Sequence, residues 1–298
     1  MIRRTIWGVA LLLGFCVGAQ AQMQAQGGYL DDYIVQVKAG KRGAYEMLAT
    51  KIAVANRQNH RDNWIAMEAD YGEPNTIRFT SVRQNYADIE KAQQTFMGAM
   101  TKALTAPGMM KLFDDLSAIS ETTRTTFRRR RPDLSIGWPA DAAGQAKVVG
   151  SSRVLRMIQI HVRPGMGPRM EDELRAVKAA VEKANPNGVG WVSQSAAGDL
   201  GTVYYVSQLR SSYAGFDGGQ SLQQMMGEGR YKEYLKTISE IVTRSDVTIY
   251  RFLPELSNPT EEQVAAAPDF WRPKPMKAAA KGMTPGKAPG KQPEKKPQ

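Results

Sequence analysis

TTFRRRRPDLS (residues 125–135) and VTIYRFLPELS (residues 247–257) align without a gap. Five of the eleven positions are identical: Thr126 with Thr248, Arg129 with Arg251, Pro132 with Pro254, Leu134 with Leu256 and Ser135 with Ser257. The second stretch sets Val247, Ile249, Tyr250 and Phe252 around a single arginine and stops at a proline, a β-branched and aromatic run that reads as a strand. Arg128 to Arg131 in the first stretch therefore read as a strand end. A dedicated phosphate or nucleic-acid patch is the alternative, and it is weakened because only Arg129 has an arginine counterpart.

The similarity extends upstream. WIAMEADYGEPNTIRFTSVRQNYA (64–87) lies over WVSQSAAGDLGTVYYVSQLRSSYA (191–214), pairing Trp64 with Trp191, Arg83 with Arg210 and Tyr86 with Tyr213. YIVQVKAGKRGAYE (33–46) lies over IQIHVRPGMGPRME (158–171), so that Val37 meets Val162, Gly40 meets Gly165 and Glu46 meets Glu171. Only small insertions separate these blocks, and the chain reads as a tandem duplication. Repeat 1 is assigned to residues 22–136, with its similarity starting at 29, and repeat 2 to 154–257; a Gly-, Ala- and Ser-rich linker spans 137–153.

Each copy orders its elements alike. Alternating Tyr33, Val35, Val37 and Ile158, Ile160, Val162 predict a first strand with one apolar face. Met170, Leu174, Val177 and Val181 form a helical stripe beginning at Pro168, and Tyr45, Leu48, Ile52 and Ala55 form its counterpart. Two strands follow, joined through the turn-forming DYGEPN or AAGDLG. A long helical stretch, broken near Pro107-Gly108 in the first copy, then leads into the arginine strand. The order is β-α-β-β-α-β, a ferredoxin-like unit, so the predicted fold class is α+β: two tandem units forming an α/β barrel with helices outside.

In this order of elements and its repetition, the chain resembles the dimeric α/β-barrel superfamily, which includes antibiotic biosynthesis monooxygenases, chlorite dismutase-like haem proteins and stress-response barrels. The resemblance covers nearly all of residues 29–257 and matches no catalytic motif. It implies two ferredoxin-like sheets set face to face, with the pocket on their inner face. The RPDLS and LPELS motifs resemble those of secreted bacterial proteins of unknown function.

The two ends read differently from the middle. Met1 to Arg4 is basic, Ile6 to Val17 is apolar and Ala19-Gln20-Ala21 offers a small-x-small cleavage site, the pattern of a secretory signal peptide over 1–21. The apolar run is short of the ~20 residues a spanning helix needs, so no transmembrane segment is expected. Arg3-Arg4 gives little support to twin-arginine export, and Phe15 before Cys16 argues against lipidation. Cys16 is the only cysteine, leaving none in the mature chain, which is expected to be periplasmic or secreted and to rely on its core. Residues 258–298 form a C-terminal extension, and from about 272 its Lys, Pro and Ala predict disorder. The formal charge is +11; the tail carries +7 and the leader +2, leaving +2 on residues 22–271, which excludes nucleic-acid binding by the folded part on charge grounds.

Candidate site residues follow from the alternation. His161 between Ile160 and Val162 points into the barrel, with Gln159 beside it and Gln36 as its first-copy counterpart. It reads as a general base, a haem ligand or simply a satisfied polar residue. Trp64 and Trp191, opening equivalent strands, read as ligand-stacking or core tryptophans. Arg129 and Arg251 are the arginines shared by the two copies. Tyr250 and Phe252 correspond to Arg128 and Arg130, so one face is aromatic in one half and cationic in the other. Lining a cavity, it suits a small aromatic or anionic ligand; on the outside, it is a solvated strand edge.

No metal is expected, because His60 falls near a helix end and leaves His161 without a partner. The mature chain shows no G-x-S-x-G elbow, P-loop, dinucleotide fingerprint or cysteine nucleophile. Two function classes remain: an exported small-molecule binding or scaffold barrel without a cofactor, or a cofactor-independent monooxygenase-like or haem-binding enzyme. The two halves are expected to pair within one chain, with pairing between chains as the alternative and higher oligomers left open.

Overall fold

The computed structural model of the chain describes residues 27–59 and 62–272. The leader with Cys16, His60 and the tail beyond Arg272 lie outside the described residues. The first half holds β1 (Tyr29–Val37), α1 (Arg42–Gln58), β2 (Ile65–Tyr71), β3 (Thr76–Arg83), α2 (Ala87–Ala103), α3 (Ala106–Ile119) and β4 (Ser120–Arg130). A connecting helix α4 (Ala142–Ser151) leads to β5 (Val154–Val162), α5 (Gly167–Ala184), β6 (Trp191–Ala197) and β7 (Thr202–Arg210). The chain continues through a 3-10 turn (Tyr213–Phe216), α6 (Leu222–Met226), α7 (Glu228–Ile241), β8 (Val242–Phe252), α8 (Glu261–Ala266) and α9 (Pro268–Trp271). No described helix is long and apolar enough to cross a membrane.

The strands close into one barrel in the order β1-β3-β2-β8-β5-β7-β6-β4. Each half supplies four neighbouring strands, and the halves join where β2 pairs β8 and β4 pairs β6, both antiparallel. A lone ferredoxin-like sheet would leave β2 and β4 as open edges; here each edge is paired by the other half of the same chain. An eight-stranded barrel is just wide enough for its side chains to fill, or to hold one small ligand.

Alternation along each strand divides the core in two. Val35, Val37, Ala66 and Ile77 face outward onto Tyr45, Ala49 and Ala53 of α1. Val162, Val192 and Tyr204 do the same against Met170 and Leu174 of α5 and Ile241 of α7. The opposite parity, including Met67, Leu155, Met157, Val203, Tyr205, Tyr250 and Phe252, fills the barrel. The arginine run obeys the same period: Arg128 and Arg130 point inward and are buried, Arg129 points out and is exposed, and Arg131 is buried just past the strand end. Arg131 donates to both oxygens of Glu171 and both of Asp133, which anchors α5 to the end of β4.

The segment 137–153 is more than a spacer. Asp141 caps α4 by accepting from Gly144 N, and the helix lies across one end of the barrel beside α8. A side chain at Gly150 would strike the backbone of Gln263 and the methyl of Ala266, so a glycine is required where the two helices cross. Trp271 ends the roof: it is buried against Phe252 and Phe270, and its indole donates to Gly150 O at 2.8 Å. Trp271→Ala is expected to cost about 3 kcal/mol, read as a lowered urea midpoint at unchanged m-value. A loss under about 1 kcal/mol would show that the roof contributes little to the barrel.

Candidate functional site: a cationic, aromatic cavity at one barrel end

The barrel interior is layered by charge. At its centre Asp32 of β1 is fully buried and accepts from Arg128 Nε at 2.6 Å, Arg128 Nη2 at 3.1 Å and Arg78 Nη1 at 2.9 Å. Thr80 and Thr126 add two more donors at 2.6 and 3.1 Å. Burial alone would raise this carboxyl, but the guanidiniums of Arg128 and Arg78 outweigh it and hold the carboxyl at about 2. Two cations against one carboxylate leave the layer with a net positive charge.

The second half answers with aromatic faces. Strand register makes Tyr205 the counterpart of Arg78 and Tyr250 the counterpart of Arg128. Each guanidinium lies over the ring opposite: Arg128 is 4.6 Å from the Tyr205 centroid and Arg78 is 5.5 Å from that of Tyr250.

On the roofed side of this layer lies a cavity of about 620 Å3. Leu155, Met157, Ile65 and Phe252 give it an apolar floor and walls, Trp138 and Trp191 an aromatic corner, and Arg128, Arg130, Ser193 and Gln145 its polar groups. The two indoles lie 5.0 Å apart at 55°. Arg130 lies 4.4 Å from the Trp138 centroid and donates to Gln145 Oε1 at 2.5 Å. It has no carboxylate partner among the described residues, and burial pushes its guanidinium down to about 10. Trp191 Nε1–H is buried and also lacks an acceptor. A desolvated cation and an orphaned N–H beside apolar space form a site for an anion or an acceptor group.

The opposite barrel end holds a separate cavity of about 580 Å3, lined by Gln159 and His161 of β5 and, across the barrel on β1, by Gln36. Gln159 Nε2 lies 3.1 Å from His161 Nε2, so the amide donates and that ring nitrogen accepts. Asp246 is 3.9 Å from the same nitrogen and is bound at 2.6 Å by Arg244. Arg124 of β4, which lines the same cavity, is paired with Glu73 at 3.1 Å. Both arginines in this lining are thus matched by carboxylates and Asp199 accepts only from the Tyr205 hydroxyl, so the described lining presents no unpaired guanidinium, unlike that under the roof.

The remaining sequence candidates separate. Trp191 faces the roofed cavity, whereas Trp64 reaches only its rim: its indole packs outward against Phe96 and donates to Leu256 O at 2.7 Å. The pairing of these two tryptophans is corrected by the strand register. Trp64 bridges Asn258 while Gly190, not Trp191, makes the matching bridge to Ile136, so Ile65 is the true counterpart of Trp191. A one-residue slip moves a side chain to the other face. Arg129 and Arg251 lie on the outer surface away from both cavities; Arg251 pairs with Glu68 and Asp70. Asp32, Arg78, Trp138 and Gln145 were not singled out from sequence, although Asp32, Arg78 and Arg128 share the inward parity of their strands.

Among the described residues no cluster of His, Cys, Asp and Glu could hold a metal ion. Haem needs an axial ligand beside an apolar slot. His161 stands in a polar cavity and is the one histidine among the described residues, which include no cysteine, so the described residues offer haem neither imidazole nor thiolate at an apolar slot.

No protein-family model and no curated protein sequence matches the chain. Among solved structures, the chain is similar to a candidate monooxygenase from Lactobacillus acidophilus at 12% identity and TM-score 0.44, covering 75% of this chain and 93% of that one. It is similar to a haem-binding protein from Thermus thermophilus at 9% identity and TM-score 0.43, covering 77% and 93%. It is also similar to a chlorite dismutase from Candidatus Nitrospira defluvii at 10% identity and TM-score 0.41, covering 83% and 98%. At these identities the likeness is one of fold, and nothing about ligand or chemistry is carried across.

Proposed function

We propose that this chain is a small-molecule-binding barrel that takes an organic anion with a planar, aromatic body into the roofed cavity. The observation that carries the reading is Arg130: a buried guanidinium with no acidic partner among the described residues, lying on an indole and facing apolar space. The ligand's carboxylate or phenolate accepts from Arg130 and from Trp191 Nε1, and its body packs among Trp138, Leu155, Met157 and Phe252. Binding without catalysis is favoured because neither carboxyl among the described lining residues is a buried free acid. Asp62, on the rim, is engaged by Arg83 at 2.7 and 2.8 Å, and Glu262 is exposed. No observation favours the monooxygenase reading over this one.

We also propose that the two halves descend from one duplicated unit and that the protein works outside the cytoplasm. The paired motifs and common element order support the first; the composition of residues 1–21 supports the second.

Arg130→Gln tests the binding reading on two readouts. Native mass spectrometry of protein purified from its own envelope is expected to show a retained organic acid, lost or weakened at least about tenfold in the variant. Thermal stability is expected to hold or rise, because an unpaired buried cation is removed. Unchanged retention, or a large loss of stability, would return Arg130 to a structural role.

A further inference from the structure

A second opening lies outside the barrel, where the outer face of β5, β6 and β7 and helices α5 and α7 leave a cleft of about 1410 Å3. In the first half the corresponding region is filled by Phe96 and Met100 of α2 and Leu112 and Leu116 of α3. The second half has no such cover: the four-residue 3-10 turn and the five-residue α6 stand where the seventeen-residue α2 stands in the first. Ile158, Ile160, Val177, Val206 and Ile238 are left half-buried along the cleft.

The charges at its end differ between the halves as well. In the first, Arg83 is neutralised by Asp31 at 3.1 Å and Asp62 at 2.7 and 2.8 Å. Strand register makes Arg210 the counterpart of Arg83 and Arg156 the counterpart of Asp31, and two residues before the matching bridges Gly188 stands for Asp62. Both carboxylates are gone, and one is replaced by a second cation. Arg210 donates to the carbonyls of Gly215, Val189 and Leu209, and Arg156 to the amide of Gln208 at 3.1 Å. Neither has a carboxylate partner among the described residues.

The order along β5 gives the cleft a direction. Arg156, Ile158 and Ile160 follow at alternate positions on one face, spaced about 6.6 Å apart at ~3.3 Å per residue. A cationic head thus opens onto an aliphatic strip whose far end, Ile160, lies about 13 Å from Arg156 along the strand. We propose that this cleft is a second ligand site, for a free long-chain aliphatic carboxylate whose head rests on Arg156 and whose chain lies over Ile158, Val206 and Ile160. The walls are aliphatic where those of the roofed cavity are aromatic, so the two sites select different acids. The charged lining of the cleft is three cations, Arg156, Arg210 and Lys147, and one carboxylate, Asp217; this net positive charge beside an aliphatic strip commits the occupant to a single anionic amphiphile.

Calorimetric titration of the full chain with dodecanoate tests this. One site is expected, with affinity lowered about tenfold by Arg156→Glu, lost in Ile158→Trp with an unchanged melting curve, and weaker for dodecanol than for the acid. Binding is expected to persist in Arg130→Gln and in the presence of an aromatic carboxylate. Absence of binding at millimolar dodecanoate, or binding indifferent to Arg156→Glu, would overturn the proposal. So would displacement by the aromatic acid, which places dodecanoate under the roof, or a dimer dissociated by Ile158→Asp, which assigns the cleft to a second copy.

Discussion

Asp32→Ala is expected to destabilise the fold by about 4 kcal/mol or more, enough to leave a substantial unfolded population near body temperature. Among the described residues the carboxylate is the sole acidic partner of Arg78 and Arg128 in the barrel centre, and both guanidiniums are almost wholly buried. Its removal leaves two desolvated cations facing each other with only hydroxyls and aromatic faces around them. The loss is a repulsion that appears, more than an attraction that disappears. Replacing all three charges together, as Asp32→Met with Arg78→Leu and Arg128→Leu, is expected to recover most of the loss, because the second half fills the matching positions with Met157, Tyr205 and Tyr250. Urea midpoints of the single and triple variants check both statements. A single variant within about 1 kcal/mol of the parent would show that the central charges are solvated.

The same carboxylate sets an acid limit. Its pKa is lowered from 3.8 to about 2 in the folded protein, so the stability it contributes is present above pH about 4 and is lost as pH falls through 2. The amount is on the order of 2 kcal/mol. Asp32→Asn is expected to remove that part of the pH dependence, and the difference between parent and variant isolates it from the other acids.

Severing the halves is expected to have the second large effect. The pairings β2–β8 and β4–β6 are the seams, and Leu253 and Leu256 of the second half sit in the first half's outer core with Ala66 and Trp64. Residues 22–136 alone expose two strand edges and the inward face with its arginines. They are expected to aggregate or to dimerise, rebuilding eight strands from two copies, while the uncut chain sediments as a monomer. A folded, monomeric first half in sedimentation and far-ultraviolet dichroism would contradict intramolecular closure.

Much of this architecture is legible in the residues. Alternation in β1, β5 and β8 and the repeated proline motif give strands, faces and order, because both depend on local periodicity. Alternation also divides Arg128 and Arg130 from Arg129. Two things escape a local reading. The Asp32–Arg78–Arg128 contacts join three strands up to 96 positions apart, and no spacing rule links them. The helix α4 hides in a stretch whose helical preference is weakened by Gly144, Gly150, Val148 and Val149 and restored by packing on α8, with the Asp141 cap as a local signal. The tryptophans teach a narrower point: a tempting identity of Trp64 with Trp191 outranked the true register by one residue, and one residue in a strand is the difference between core and cavity.

The central claim is that Arg130 makes the roofed cavity a receptor for organic anions. It is tested most directly by titrating the protein with naphthalene-2-carboxylate and, separately, with its neutral carboxamide, following the fluorescence of the indoles that line the cavity. The acid is expected to bind at least about tenfold more tightly than the amide, and Arg130→Gln is expected to abolish the difference. Equal affinity for acid and amide in the parent protein, or a preference for the acid that survives Arg130→Gln, would contradict it.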